Sequence, residues 1–293
     1  MSWRSWGLAV VVVGALAGCQ RGQAPAHPLE PAVSSTSTTS APSAAPETPG
    51  QAAGPLTIAD PRITESSGLA LSHVHDGVLY THNDRGDTAA LFAVDSNGTR
   101  AVLRLDAPAL DWEDMAASPD GRLWVADTGD NDEVRESVTI EVVEEPEVLV
   151  SASLVTTSYE LVYPDGPHDA EALLVDPRDL RVYLVTKEPD GGTIYAAPAQ
   201  LDPDRPNRLR AVATAPPNIS AGDFASDGGT FALRNQGKVF FYGEIGGAPT
   251  MVTPPSQPQG ESLTFDADGT HVLLGSEGAN SEVIQVAVPG AGR

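Results

Sequence analysis

The stretch Glu113-Asp-Met-Ala-Ala-Ser-Pro-Asp-Gly-Arg-Leu-Trp-Val-Ala126 contains the pattern that decides the fold. An acidic residue opens a short apolar strand, Asp120-Gly121 forms a turn, and a second apolar strand follows. Asp-Gly between two apolar runs is a strong signal for a β-hairpin. The stretch therefore predicts two antiparallel strands that are joined by a tight turn.

The same pattern occurs five times along the chain, and a third apolar strand follows each time. The first strands begin at Ser67, Glu113, Glu171, Ser220 and Glu261. Their turns are Asp76-Gly77, Asp120-Gly121, Asp176-Pro177, Asp227-Gly228 and Asp268-Gly269. Repeats of about 40–60 residues with three or four short strands each are typical of propeller blades.

We therefore predict an all-β fold, a five-bladed β-propeller. The last repeat lacks a fourth strand, and Leu56-Thr-Ile58 is placed to supply it and close the ring. A six-bladed propeller is the alternative, if residues 144–157 contain a further pair of strands.

The first residues predict export. Arg4 precedes an apolar run over residues 7–17, and Leu16-Ala-Gly-Cys19 follows. These four residues resemble the lipobox of bacterial lipoproteins, in which the cysteine becomes the lipidated first residue. We expect residues 1–18 to be a lipoprotein signal peptide and lipid on Cys19 to anchor the protein to a membrane of the cell envelope, outside the cytoplasm. A plain signal peptide that contains a cysteine is the alternative.

Residues 19–54 are rich in Pro, Ala, Ser and Thr and contain few aliphatic side chains. Such a composition does not bury enough apolar surface to fold. We predict a disordered tether over 19–54 and the propeller domain over 55–293. Because Cys19 is the one cysteine in the chain, the domain has no disulfide and no thiolate metal site.

The formal net charge of −23 limits the partners of the domain. Nucleic acid is excluded, since phosphate backbones are bound through Lys and Arg. An anionic small molecule would need a metal ion or a local group of basic residues. We expect a monomer that binds a small-molecule or cell-envelope ligand at the mouth of the propeller.

In a propeller the innermost strand of each blade begins beside the central axis. Carboxylates and hydroxyls that converge there are hard oxygen ligands, which suit Ca²⁺. We therefore predict a central Ca²⁺ site, with these ligands: Ser67, Glu113, Glu171, Ser220 and Glu261. The alternative is that water, Arg234 or Lys187 satisfies the same groups without a metal ion.

Polar loops open on the same face as these strand starts. We predict that they bind substrate through His82, Arg85, His168, Lys187, Arg234 and Glu277. Loops are polar by default, so the prediction depends on their convergence around one mouth.

Five strand starts with the residues Ser, Glu, Glu, Ser and Glu resemble those of the calcium-activated nucleotidases, the soluble apyrase family. Leu79-Tyr-Thr-His-Asn-Asp84-Arg85-Gly86 and Phe231-Ala-Leu-Arg234 are also similar to motifs of that family. The resemblance implies a catalytic role for Asp84 and phosphate contacts for Arg85 and Arg234. The chain lacks the longer insertions of the family, and its acidic loop over residues 127–132 has no counterpart there.

These observations favour a metal-dependent hydrolase of a small phosphate or other ester. The alternative is a non-enzymatic propeller of the cell envelope that binds a glycan, peptide or protein partner and holds a purely structural metal ion.

Overall fold

The computed structural model describes residues 55–84 and 88–291. Over these residues the chain forms strands and loops without a helix, so nothing in them is long and apolar enough to cross a membrane as a helix. The strands are β1 (Leu56–Ile58), β2 (Ser66–Leu71), β3 (Leu79–Asn83), β4 (Ala90–Asp95), β5 (Gly98–Leu105), β6 (Trp112–Ser118), β7 (Arg122–Asp127), β8 (Val138–Glu144), β9 (Ala152–Leu154), β10 (Thr157–Val162), β11 (Ala170–Val175), β12 (Val182–Thr186), β13 (Thr193–Ala196), β14 (Asn207–Arg208), β15 (Arg210–Thr214), β16 (Ala221–Phe224), β17 (Phe231–Arg234), β18 (Val239–Tyr242), β19 (Thr250–Val252), β20 (Ser262–Phe265), β21 (His271–Gly275) and β22 (Ser281–Ala287). The signal peptide, the tether and Cys19 lie outside the described residues.

These strands form five small sheets, which are the five blades of a β-propeller. Blade 1 contains β2–β5, blade 2 contains β6, β7, β8 and β10, and blade 3 contains β11, β12, β13 and β15. Blade 4 contains β16–β19, and blade 5 contains β20–β22 together with β1. The predicted fold class is confirmed.

The ring is closed as the sequence predicts. Strand β1 pairs antiparallel with β22, and Leu56 lies opposite Val283. The first and last strands of the described chain therefore share one sheet, which joins blade 5 to the residues that lead into blade 1.

The stretch over residues 144–157 does not form a sixth blade. It contains one short strand, β9, which adds parallel to the outer edge of β5 in blade 1. Strand β14 does the same on β10 in blade 2. Each of these short strands covers the edge of the preceding blade, so the irregular stretch fastens two blades together.

Apolar side chains fill the spaces between neighbouring blades. One cluster packs Tyr80 of blade 1 against Trp112 and Met115 of blade 2, and all three are almost completely buried. Equivalent clusters join the other four pairs of neighbouring blades. Each large apolar side chain buried in this way contributes about 1.5–3 kcal/mol to stability. Because all five clusters lie between neighbouring blades, the core is a ring of interfaces between sheets.

Near the axis, buried carboxylates connect the blades through backbone N–H groups. Asp114 of β6 accepts hydrogen bonds from the N–H of Met115 at 2.9 Å, of Leu173 at 3.0 Å and of Gly222 at 3.1 Å. These donors belong to blades 2, 3 and 4. Asp223 of β16 accepts in the same way from Phe265 of blade 5 at 3.0 Å. The innermost strands are therefore fixed relative to one another directly below the mouth.

Candidate functional site

A repeated backbone hydrogen bond defines the mouth of the propeller. In four blades a residue one or two positions after the second strand donates its N–H to the carbonyl two residues before the predicted strand start. The pairs are Asp84 with Glu65, Gly129 with Asp111, Lys187 with Asp169, and Glu277 with Gln259. These bonds place the loops and the strand starts of the four blades at equivalent positions on one face.

Irregular pairing turns three of the predicted residues away from the regular ladder. The register between first and second strands shifts at Ser67, at Glu113 and at Glu171. Bulges of this kind redirect side chains, and they occur often next to functional sites. The sequence pattern locates these three strand starts but does not show the extra residue in each.

Two acidic groups lie at the mouth, and both contain Glu113. In the first group, carboxylate oxygens of Glu113, Asp169 and Glu171 lie within 4.8 Å of one another. In the second group, oxygens of Asp84, Asp111 and Glu113 meet the same limit. The acidic clusters are therefore of the size that a metal ion needs.

Asp111 and Asp169 were not among the predicted ligands, although the sequence contains a signal for them. Each stands two residues before a strand-start glutamate, in Asp111-Trp-Glu113 and in Asp169-Ala-Glu171. The same Asp-x-Glu spacing at two equivalent strand starts is what brings the four carboxylates together.

Ionised carboxylates at these distances repel one another strongly. At 4.8 Å and an effective dielectric constant of about 20, each pair costs about 3 kcal/mol. Three such pairs in one group amount to about 10 kcal/mol, which is comparable to the whole stability of a domain. Protons or cations must therefore compensate the charge when the site is folded.

The pKa values at the site shift in the direction that this repulsion requires. Burial, and then the neighbouring carboxylates, raises the pKa of Glu113. Burial also raises the pKa of Glu171, although its ion pair with Lys187, at 2.5 Å, acts in the opposite direction. Burial raises the pKa of Asp169 as well. The site thus favours binding of protons or cations.

The acidic loop over residues 127–132 has a structural role in the cluster. Gly129 packs so closely against the carboxylates of Glu113 and Asp111 that a Cβ atom there would clash with both. Asp130 donates its backbone N–H to Asp169 at 2.9 Å, and Arg135 forms an ion pair with Asp127 at 2.9 Å. The loop therefore forms one wall of the site.

The predicted ring of five ligands is only partly assembled into a carboxylate cluster. Glu113 and Glu171 lie together, as described above. The hydroxyl of Ser67 donates to the carbonyl of Glu113 at 2.6 Å, and that of Ser220 donates to the carbonyl of Gly260 at 3.1 Å. Each serine therefore connects its own blade to the next one. Glu261 lies instead on the wall of a neighbouring pocket.

This pocket has a volume of about 400 Å³, within the usual range for small-molecule sites. Lys187 lies on its wall and also pairs with Glu171, so the pocket adjoins the acidic cluster. Its other walls are mainly polar and comprise Asn218, Ser220, Asn235, Gln236, Gly237 and Glu261.

Two of the predicted substrate-binding residues are buried in the walls. His82 is completely buried and packs edge-on against Trp112, and burial lowers its pKa to about 4. Arg234 is 1% exposed and donates to the carbonyls of Ser262 at 2.9 Å and Gly275 at 2.8 Å. Neither side chain reaches the pocket, because each fills space between blades. Through its two hydrogen bonds, Arg234 connects blade 4 to blade 5.

Two further predicted residues, His168 and Glu277, lie at the rim. His168 contacts Asp165 at 3.2 Å and the Tyr195 hydroxyl at 3.0 Å, beside the loop that carries Lys187. Glu277 accepts a hydrogen bond from Gln259 at 2.7 Å. Arg85 lies outside the described residues.

A third acidic group lies at the Asp-Gly turn of blade 5 and contains Asp266, Asp268 and His271. Hydrogen bonds within the turn account for its geometry: His271 contacts Asp266 at 3.0 Å, and Thr270 donates to Asp268 at 2.5 Å. We assign no function to this group.

No protein-family model matches the sequence, and no curated protein matches it. Among solved structures, the chain is similar to a gluconolactonase from Xanthomonas campestris, with 15% identity and a TM-score of 0.47, over 79% of this chain and 89% of that one. It is also similar to a luciferin-regenerating enzyme, with 12% identity and a TM-score of 0.45, over 81% of this chain and 96% of that one. The resemblance to the calcium-activated nucleotidases stays a prediction. The function proposed below rests on the geometry of the site.

Proposed function

We propose that the chain is a metal-dependent hydrolase of a small phosphate ester or another ester, with Ca²⁺ held at the axial mouth. The observation that supports this most is the position of Glu113. Its carboxylate is buried among those of Asp84, Asp111, Asp169 and Glu171, where the charges need a cation.

The residues present fit a hard divalent cation. Glu113, Asp169 and Glu171 supply carboxylate oxygens, and thiolates are absent from the described residues, which favours Ca²⁺ over soft metal ions. When bound, such an ion polarises an oxygen of the substrate and stabilises negative charge that develops on it.

The side chains of the protein position the substrate and the water. The pocket beside the cluster accepts a small polar molecule, and Asn218, Asn235 and Gln236 offer amide groups to it. Lys187 places one positive charge between the pocket and Glu171, where it neutralises an anionic group of the substrate. Asp84, at the edge of the cluster, orients or deprotonates the attacking water.

The alternative is a non-enzymatic propeller of the cell envelope with a purely structural metal ion. Its support comes from the walls of the pocket, which are mostly amides and hydroxyls with one lysine. Such walls suit a neutral polar ligand such as a glycan at least as well as a polyanion.

The two functions separate on Asp84→Asn. Purified protein is assayed with Ca²⁺ or EDTA against nucleotides, other phosphate esters, lactones and carboxylic esters. A hydrolase turns over at least one class only with the metal, and Asp84→Asn loses that turnover while circular dichroism shows that the variant is still folded. Asp76→Asn, at an exposed residue in the turn between β2 and β3, at the opposite end of these strands from the mouth, is the matched control. No turnover of any class by the wild type favours the binding module.

The envelope location is a proposal that rests on the sequence. Cys19→Ser is expected to release the protein from the membrane fraction to the soluble fraction. Continued membrane attachment of this variant contradicts the lipid anchor.

A further inference from the structure

The outer edges of blades 1 and 2 are covered by short strands, and the outer edge of blade 3 is not. The outer strand of blade 1, β5, pairs with the parallel strand β9, and the outer strand of blade 2, β10, pairs with β14 in the same way. The outer strand of blade 3, β15, pairs with β13, and no other described strand pairs with it. An open edge strand presents unpaired N–H and C=O groups, which are a template for a further strand.

The covering strands belong to the connections that lead into the outer strand of the next blade. Residues 145–156 connect β8 to β10 and contain β9, and residues 197–209 connect β13 to β15 and contain β14. The corresponding connection of blade 4, residues 243–249 between β18 and β19, is shorter and contains no strand. This short connection leaves the edge of blade 3 uncovered.

A groove lies where the covering strand would be expected. It has a volume of about 410 Å³ and lies between residues 212–216, in and after β15, and the connection of blade 4. Its side chains are apolar apart from Thr214 and the Tyr242 hydroxyl, and they include Val212, Ala215, Pro216 and Pro249. The groove therefore offers apolar contacts beside an open strand edge.

The register of β15 indicates which of its backbone groups face outward. Ala215 donates its N–H to the carbonyl of Gly192 at 2.7 Å, and Thr214 lies opposite Thr193. Hydrogen-bonded and non-hydrogen-bonded pairs alternate along antiparallel strands. The N–H and C=O groups of Thr214 therefore point away from β13, toward the edge beside the groove.

We propose that β15 binds an extended peptide segment of a partner protein, which adds to blade 3 as a parallel strand. Addition of a strand to an open sheet edge is an established way to recognise peptides, in which main-chain hydrogen bonds give affinity and pockets for alternate side chains give specificity. The occupant is a peptide because the chain covers the equivalent edges of blades 1 and 2 with extended segments of its own.

The covering strand β9 indicates the chemistry of the segment that blade 3 binds. Ala152 and Leu154 pack against the apolar cluster of blades 1 and 2, and Ser153 between them is exposed. We therefore expect small or aliphatic side chains at alternate positions of the partner segment, directed at Val212 and Tyr242, with polar residues between them. Proline is excluded from the paired positions, since it has no N–H to donate.

The inference is independent of the proposed function. Strand β15 is the outermost strand of blade 3, whereas the acidic cluster lies at the start of the innermost strands. Loss of peptide binding therefore leaves the hydrolase intact, and a chain without turnover can still bind the peptide.

The test is a titration of the full chain with a fluorescent synthetic peptide, followed by fluorescence anisotropy. The peptide copies Val150-Ser-Ala-Ser-Leu-Val-Thr156, which contains the covering strand β9. Saturable binding is expected, and hydrogen exchange followed by mass spectrometry should show that the complex protects residues 210–215. Two further peptides carry N-methyl groups at alternate residues, in opposite phases. One should bind at least about tenfold more weakly, because its donors to β15 are blocked, and the other should bind like the unmodified peptide.

Variants of the protein locate the binding site. Val212→Lys places a charge in the groove, and Thr214→Pro removes the outward N–H, so each should weaken binding at least about tenfold. Val155→Lys, at a residue that is 87% exposed and lies between β9 and β10, is the matched control and should keep the wild-type affinity. Circular dichroism checks that each variant is folded, and Val212→Lys keeps the test decisive if Thr214→Pro does not fold.

Three results would overturn the docking site: no saturable binding by the wild type, equal affinity of the two methylated peptides, or unchanged affinity of Val212→Lys. A second copy of the chain is the other occupant that an open edge accepts. A dimer in analytical ultracentrifugation that Val212→Lys abolishes would overturn the partner peptide, since it would show that β15 pairs between copies.

Discussion

Replacement of Asp114 by alanine tests whether the axial carboxylates hold the blades together. The substitution removes the acceptor of three backbone N–H groups, which belong to Met115, Leu173 and Gly222 in three different blades. Each buried N–H that loses its partner costs about 1–3 kcal/mol. Because burial raises the pKa of Asp114, the wild type already bears an unfavourable buried carboxyl, which offsets part of the loss. We therefore expect a net destabilisation of about 3–5 kcal/mol, in the lower part of the summed range.

The assay is urea unfolding followed by circular dichroism, with EDTA present so that metal binding does not contribute. Asp114→Asn keeps one acceptor oxygen and should lose only about 1–3 kcal/mol. Asp106→Ala, at an exposed position, should change the free energy of unfolding by less than about 0.5 kcal/mol. A loss for Asp114→Ala that is no larger than that of Asp106→Ala would refute the role of the axial carboxylates.

Four further predictions concern the mouth and the walls. Lys187→Met removes the ammonium group that competes with Ca²⁺ for Glu171, so a calcium titration should show binding that is tighter by up to about tenfold, ~1.4 kcal/mol. Weaker binding in this variant would contradict the competition between Lys187 and Ca²⁺. Gly129→Ala introduces a Cβ that clashes with the carboxylates and should weaken Ca²⁺ binding at least tenfold; unchanged affinity shows that the wall can move. Arg234→Lys loses donors to two carbonyls of blade 5 and should cost about 2–3 kcal/mol in urea unfolding, and no change would remove its structural role. Burial raises the pKa of Asp223 from 3.8 to about 7, so the folded state binds the proton of this carboxyl more tightly than the unfolded state does. The free energy of unfolding in EDTA should therefore fall as the pH rises from about 4 to about 7, and a rise over this range would contradict the shift.

The sequence predicts the fold well because its signals are local. Asp-Gly turns between apolar strands recur in four blades, and Asp176-Pro177 stands at the equivalent position of blade 3. The structure has hairpins there, with left-handed glycines at the four Asp-Gly turns: Gly77, Gly121, Gly228 and Gly269. The closing strand Leu56–Ile58 is also predictable, since blade 5 otherwise lacks a fourth strand. The short strands β9 and β14 are not, because each adds to a different blade and carries no turn signal.

The site is predictable only in part, because its decisive contacts are made between blades. Glu113 and Glu171 follow from the alignment of strand starts, and the repeated Asp-x-Glu spacing would have added Asp111 and Asp169. Arg234 has the composition of an anion-binding residue, but the structure uses it to bind carbonyls of blade 5. The residue type alone does not distinguish these roles, since they depend on the close approach of Gly260 and Ser262 to its guanidinium group.

The central claim is that the carboxylates at the mouth need a cation. Thermal unfolding of the full chain in EDTA and in Ca²⁺ tests this claim most directly. In mildly alkaline buffer, which favours the ionised carboxylates over a more acidic one, the melting temperature should be low in EDTA and should rise with Ca²⁺ concentration. The rise should be largely lost in Glu113→Gln and retained in the turn variant Asp268→Asn. The same melting temperature in EDTA and in saturating Ca²⁺ would contradict the metal site and remove the basis of the proposed function.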